Sequence, residues 1–309
     1  MKFKKITIID NCGLVSPEVE KIALLSEEAM IIHNDFPETE KEIIARIGDS
    51  DCVLVSWHTK ISAKILRSCP SLKIVGMCCS LYDEKSANVD IVEARKLGIE
   101  VKGVRDYGDE GTVEFMFAEL ICLIKGLGKN KWRAEPTELG NKSIGIIGLG
   151  TLGQMVAKTA LHFGMKVFYF SRTRKPELEE TGITYMTLSE LMESCDVVAT
   201  LLPKNTHLLT DQEFKIKKIN SILINSSLGL TFEKEPFLDW MKRDKTSFAI
   251  FDACGYGNCA TEFADYDNII LSNQFSGFTT EAKKRLSQKV LLNLTTYLNN
   301  IDFLDLKVG

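Results

Sequence analysis

Residues 144–174 read IGIIGLGTLGQMVAKTALHFGMKVFYFSRTR: an apolar run, a glycine cluster, an amphipathic stretch and a second apolar run that ends in bases. That order is strand, tight turn, helix and strand, the unit that grips a dinucleotide. Gly148 permits the turn off the strand, Gly150 lets the backbone approach a pyrophosphate, and Gly153 lets the helix pack close to the sheet. A helix opening near Thr151 points its free N–H groups and the positive end of its dipole at the phosphates. A lone GxGxxG also occurs in ordinary turns. Here Ile144, Ile146 and Ile147 lead in, and Val156, Ala157, Ala160, Leu161 and Phe163 fill one helical face.

The end of the second strand discriminates between cofactors. A carboxylate about 20 residues past the turn would hold a ribose 2′-hydroxyl, whereas this chain offers Ser171, Arg172, Thr173 and Arg174. Two guanidiniums and two hydroxyls suit a 2′-phosphate through bidentate, charge-assisted bonds. NADP(H) is therefore expected, with NAD(H) the weaker alternative. The bland alternative is a solvated strand end that carries two arginines.

The remaining composition narrows the class. A length of 309 residues allows two domains, and a net charge of −4 argues against a nucleic-acid or anionic-membrane partner. No apolar window reaches transmembrane length, and MKFKKITIID runs into a short strand pattern without the apolar core of a secretory signal. A cytoplasmic location is expected. The nine cysteines show no CxxC spacing and no histidine partner at zinc spacing, so reduced, buried thiols and no metal site are expected.

Strand patterns at 6–9, 30–32, 52–55, 72–75 and 99–101 alternate with helix patterns near 18–25, 39–47, 63–68 and 91–97. Such alternation makes a parallel sheet with crossover helices. A long apolar stretch at 113–127 reads as a linking helix, and polar GKNKWRAEPTELGNK follows it. Further strands are expected at 144–147, 166–170, 197–201, 222–224, 248–251 and 269–271. A last helix at 280–298 places Ala282, Leu286, Val290 and Leu294 on one stripe, suited to return to the first unit. The fold class is α/β, with two Rossmann-like or flavodoxin-like domains. Residues 1–107 plus 281–309 form the substrate domain, and 108–280 the cofactor domain.

Several segments together carry a family likeness: LKIVG (72–76), NVDIVEARKLGIEV (88–101), TVEF (112–115), GIIGLGTLGQ (145–154), LINSSLG (223–229) and LSNQFSGFTTEA (271–282). With CDVV and LLP between 195 and 203, nearly the whole chain resembles the D-isomer-specific 2-hydroxyacid dehydrogenases. That group includes glyoxylate/hydroxypyruvate reductases and phosphoglycerate dehydrogenases. The resemblance implies a cofactor and a small-molecule substrate in a cleft between the domains, and a homodimer formed through the cofactor domain near 126–141. Its cofactor-binding set maps onto Gly148, Leu149, Gly150, Thr151, Leu152 and Gly153, and onto Ser171, Arg172, Thr173 and Arg174. It continues with Leu202, Pro203 and Thr206, with Asn225, Ser226, Ser227 and Leu228, and with Asp252, Gln274 and Gly277. Asp252, Asn225 and Gln274 would line the nicotinamide side.

Members of that family use an Arg, a Glu and a His. Reducing a 2-oxo acid takes a cation to hold the carboxylate, an acid to protonate the alkoxide, and a carboxylate to raise that acid's pKa. The Arg position of the IN-x-x-RG run falls on Leu228, the Glu position on Gly257, and the His position of the TPH-x-xG run on Gln274. Glutamine donates a hydrogen bond but delivers no proton. The loop after Gly76, read as Met77, Cys78, Cys79, Ser80, Leu81 and Tyr82, also departs from the family's glycine-rich carboxylate cradle. A pocket of Met77, Cys78, Cys79, Leu228, Cys254, Tyr256 and Gln274 would suit a larger, less charged ligand. Candidate catalytic residues are Gln274, Asp252 and His58, with Tyr82 and Tyr107 near the same loops. The expected function is an NADP(H)-binding oxidoreductase with a non-standard site and substrate. The alternatives are an inactive NADP(H)-binding or sensing protein, and an ordinary glyoxylate- or hydroxypyruvate-type reductase that draws on Glu262 and His58.

Overall fold

A computed structural model describes residues 1–204 and 206–308, the side chains of 301–308 excepted. The chain divides into two compact units, Met1–Tyr107 together with the residues from Thr280 onward, and Gly108–Thr279.

The first unit holds strands β1 (Ile6–Ile8), β2 (Ile31–Ile32), β3 (Cys52–Val55), β4 (Ile74–Ser80) and β5 (Glu100–Val104) in the order β2-β1-β3-β4-β5. Every neighbouring pair is parallel. Helices α1 (Glu18–Ala23), α2 (Glu40–Ile47), α3 (Ala63–Ser68) and α4 (Ile91–Lys96) make the crossovers. Side chains alternate across the sheet with period two. Val53, Val55, Val75, Met77 and Cys79 face Ile43 and Ile47 of α2, Ile65 and Leu66 of α3 and Ala94 of α4. Cys52, Leu54, Ile74 and Cys78 face Ile22 of α1 and the final helix, α12 (Thr280–Val308), through Leu286, Val290, Leu294 and Leu298.

That alternation corrects one expectation. The reading from sequence ended the fourth strand at 75 and gave 77–82 to a substrate loop, but β4 continues to Ser80. Met77, Cys78 and Cys79 are 1%, 3% and 5% exposed and divided between the two cores. A strand buried on both faces carries an unbroken apolar run, so nothing in IVGMCC signals where pairing ends.

The second unit begins with α5 (Asp109–Lys125) and holds seven parallel strands: β6 (Ser143–Ile147), β7 (Lys166–Phe170), β8 (Ile183–Tyr185), β9 (Val197–Thr200), β10 (Ile222–Asn225), β11 (Phe248–Phe251) and β12 (Ile269–Leu271). Between them run α6 (Thr151–His162), α7 (Pro176–Glu179), α8 (Leu188–Ser194), α9 (Asp211–Ile216), α10 (Lys234–Arg243) and α11 (Ala260–Phe263). The sheet order is β12-β11-β10-β9-β6-β7-β8. It reverses between β6 and β9, and ligands of open α/β sheets sit outside the carboxyl ends of strands at such a switch point. One core packs the sheet on α5 and α6, and the other packs it on α8, α9 and α10. Strand β8 was not anticipated, because of its three residues only Ile183 is buried, which leaves no apolar run to mark a strand. No helix among the described residues is long and apolar enough to cross a membrane.

Candidate dinucleotide and substrate site

The turn after β6 is built for close approach. Gly148 has φ +104°, and a Cβ there would stand 2.2 Å from the Leu201 carbonyl oxygen. A Cβ on Gly153 would stand 2.1 Å from the Gly148 carbonyl oxygen, so only glycine lets α6 seat against the turn. A Cβ on Gly150 would meet open space. Gly150 offers no side-chain cap to α6, and no acidic residue occupies its first turn, which leaves the N–H groups at Thr151, Leu152 and Gly153 uncapped by side chains. Leu149 is 2% exposed and packs in the core, so its contribution to a ligand is its backbone. The Gly148 N–H donates to the Phe170 carbonyl at 2.9 Å and the Leu201 N–H to the Ile147 carbonyl at 2.8 Å, which fixes the turn across three strand ends.

After β7 the four residues SRTR part company. The Ser171 hydroxyl donates to the Thr173 carbonyl. Arg174 forms a bidentate pair with Glu179 and lies 5.4 Å from the Tyr185 ring centroid. The Tyr169 hydroxyl donates to the same Glu179 at 2.9 Å and accepts the Lys175 N–H at 2.8 Å. The Arg174 hydrogen bond, with the Tyr169 hydroxyl and Arg174's charge behind it, pulls the Glu179 carboxyl down to about 2. Arg172 is exposed and makes no side-chain hydrogen bond or ion pair among the described residues. Of the two guanidiniums suited to a 2′-phosphate, that of Arg174 is paired with Glu179. PELEE, directly downstream, was the signal for it.

The remaining positions gather on the carboxyl edge of β9, β10, β11 and β12. Asn225 is fully buried; its amide donates to the Gly229 carbonyl at 3.0 Å and the Gly255 carbonyl at 2.8 Å. Its oxygen accepts from the Thr200 hydroxyl at 2.9 Å and the Ser227 N–H at 3.2 Å. The Ser227 hydroxyl donates to the Thr200 carbonyl and accepts the Leu202 N–H. The Asp252 carboxylate, 2% exposed, accepts from the Gly255 N–H at 2.8 Å and the Ser276 hydroxyl at 2.6 Å. Burial pushes that carboxyl above its ordinary value. These buried amide, hydroxyl and carboxylate groups spend their bonds on holding loops together.

What they hold is the trio Leu228, Gly257 and Gln274. The Gly229 N–H donates to the Cys254 carbonyl at 3.0 Å, and the Ala253 N–H to the Gln274 carbonyl at 3.0 Å. A Cβ on Gly257, whose φ is +55°, would lie 3.8 Å from the Gly229 Cα. Leu228 is 39% exposed, and the exposed Gln274 amide donates to Asn273 Oδ1 at 3.0 Å. Nearby, the Ser226 hydroxyl oxygen is buried with no hydrogen-bond partner among the described residues. The Thr206 N–H closes a turn onto the Pro203 carbonyl at 3.2 Å. Gly277 packs on Gly108 at the start of α5, where a Gly108 Cβ would come within 2.4 Å of its carbonyl oxygen.

The other candidates have neighbours of their own. His58, in the first unit, is exposed and lies at a tilt against Trp57 and Phe36, ring centroids 3.7 and 4.5 Å away. Burial holds the Tyr107 phenol well above its usual range, and Arg105 lies over the Tyr82 ring. Glu262 pairs with Lys234 at 2.9 Å.

Residues 120–273, which include the glycine turn, Arg172, Leu228 and Gly257, match the family model described as D-isomer specific 2-hydroxyacid dehydrogenase, NAD binding domain. The chain belongs to that family. It is an oxidoreductase of the D-2-hydroxyacid dehydrogenase family with an NAD(P)-binding domain. A glyoxylate reductase of Thermococcus litoralis is 29% identical over 279 residues, 82% of each chain. Two solved structures share the fold. One is an acyclic imino acid reductase in complex with NADPH and D-Arg, 24% identical with a TM-score of 0.81, covering 96% of this chain and 97% of that one. The other is an NAD+-bound 3-phosphoglycerate dehydrogenase of Entamoeba histolytica, 20% identical with a TM-score of 0.79, covering 97% and 96%.

Proposed function

We propose that this family member is an NADP(H)-dependent oxidoreductase whose substrate is not an ordinary 2-oxo acid. The observation that carries the reading is the uncharged trio Leu228, Gly257 and Gln274, brought together on one sheet edge. Where the family holds a substrate carboxylate and protonates an alkoxide, these side chains supply an aliphatic surface, bare backbone and a neutral amide. Loss of a general acid costs about 10²–10⁴ in rate, and loss of a guanidinium anchor adds to it.

The residues fit a dinucleotide. The space over Gly150, the uncapped N-terminus of α6 and the unpartnered Ser226 hydroxyl are what a pyrophosphate and its ribose would satisfy. The backbone from Gly148 to Gly153 would hold the phosphates, and Arg172 a 2′-phosphate. The bound nicotinamide supplies or accepts hydride. Gln274 orients an acceptor oxygen or nitrogen through its amide N–H, and Leu228 excludes water from that side. The imino acid reductase solved with NADPH is a precedent on this fold for such a cofactor and substrate, beside the NAD+-bound dehydrogenase. The similarity to a glyoxylate reductase favours a second reading, an ordinary 2-oxo acid reductase. NADPH oxidation against a panel of 2-oxo acids, imino acids, aldehydes, ketones and quinones separates the two. Turnover of glyoxylate at rates ordinary for enzymes selects the second reading, and turnover confined to other acceptors the first.

A further inference from the structure

Leu228 leaves the β10 loop without a cation, yet the neighbouring loop has one. Lys204 stands in the turn after β9, between Pro203 and Thr206. The two loops are joined by the Leu202 N–H donating to the Ser227 hydroxyl at 2.9 Å, one residue from Leu228. Lys204 is half-buried, and its ammonium makes no hydrogen bond or ion pair among the described residues. Its field reaches across β10 to Cys254 at the end of β11. Burial and the Asp252 charge push that thiol up to about 12, and Lys204 opposes them. The Asp252 carboxylate accepts the Ser276 hydroxyl and the Gly255 N–H and forms no ion pair with Lys204.

We propose that Lys204 is the anion anchor of the substrate edge, holding the carboxylate of an imino acid, or of an oxo acid longer than glyoxylate, from the β9 loop in place of a guanidinium at position 228. This rests on the reading above and names its substrate class. Adjacent strands lie about 4.8 Å apart, so the anchor is displaced by about one strand, and acids longer than glyoxylate fit it better. Lysine binds as a point charge on a flexible stem, without the bidentate fork that fixes a 2-oxo acid in one orientation.

The test measures binding of dicarboxylates from oxalate to glutarate to the full chain, with and without NADPH, by calorimetry. The wild type binds, with glutarate tighter than oxalate. Lys204→Gln weakens binding by about tenfold or more, while Lys204→Arg, which keeps the charge, stays within about threefold. A second readout is alkylation of Cys254 by iodoacetamide, followed on its peptide by mass spectrometry. Lys204→Gln slows it and bound glutarate protects it. No dicarboxylate bound by the wild type, equal binding by Lys204→Gln, or an unchanged Cys254 rate would each overturn the proposal. Ordinary glyoxylate turnover by the wild type would remove the earlier reading whatever Lys204 does; unchanged anion binding in Lys204→Gln removes only this one.

Discussion

Arg174 is held by Glu179 through two parallel bonds, 2.8 Å from Nε to Oε1 and 2.7 Å from Nη2 to Oε2. The two arginines at the end of β7 are therefore unequal, one a strut of the loop and the other available. Arg172→Gln is expected to weaken NADPH binding by about tenfold with NADH unchanged, as for loss of a charged hydrogen bond. Glu179→Gln should release Arg174 and raise the NADPH-over-NADH preference. Fluorescence titration of both cofactors reads both effects, and equal loss of NADH and NADPH in Arg172→Gln would remove the assignment.

Asp252 ties three chain segments at one strand end. Asp252→Ala removes the carboxylate acceptor of the Gly255 N–H and of both Ser276 donors; the Gly255 N–H keeps the Asp252 carbonyl and the Ser276 hydroxyl keeps Thr112, while the buried Ser276 N–H is left unpaired. A loss of about 2 kcal/mol in urea unfolding is expected, because buried donors left unpaired bear their full desolvation penalty. Asp252→Asn, which keeps an acceptor oxygen, should lose less. An Asp252→Ala variant as stable as the parent would show that the carboxylate is not what holds this edge.

Lys217 is 3% exposed, and its amine donates to the Ser221 hydroxyl at 2.8 Å. Burial pushes it from the ordinary 10.5 down to about 7. Between those values the unfolded chain holds a proton that the folded chain has released, so the unfolded state binds more protons and stability rises with pH across that window. Below about 7 both states are protonated and the cost of burying the charge is present in full. Urea midpoints measured from pH 7 to pH 10 should climb for the wild type and climb less for Lys217→Met. Parallel curves would contradict the burial of a titrating amine.

Architecture was legible where periodicity was long. The glycine turn, α5 and the stripe Leu286, Val290 and Leu294 followed from spacing, because a buried face repeats over many residues. Strand β8, with one buried residue, did not, since it offers no apolar run, nor did the extension of β4 through Met77 to Ser80, since a buried parallel strand carries no alternation to mark an end. The site was legible as a set of strand ends but not as a set of free groups. Whether Arg174, Asn225 or Asp252 has bonds to spare depends on partners such as Glu179, Gly255 and Ser276, which only the fold assembles.

The trio resists simple reversal. Leu228→Arg with Gln274→His restores a cation and an acid at exposed positions and is expected to create measurable 2-oxo acid reduction, followed as NADPH loss with glyoxylate. Gly257→Glu is different: φ +55° is left-handed, where a side chain costs about 1 kcal/mol or more. The triple variant should therefore be less stable than the double. No activity in the double variant would leave Leu228 and Gln274 without the roles assigned to them.

The central claim is that the sheet edge beside this cofactor cradle is not equipped for ordinary 2-oxo acids. Steady-state NADPH oxidation by the wild type with glyoxylate measures it most directly. The expected kcat/KM is at least about 10²-fold below the usual enzymatic range of about 10⁴–10⁸ M⁻¹s⁻¹. A value inside that range would contradict it.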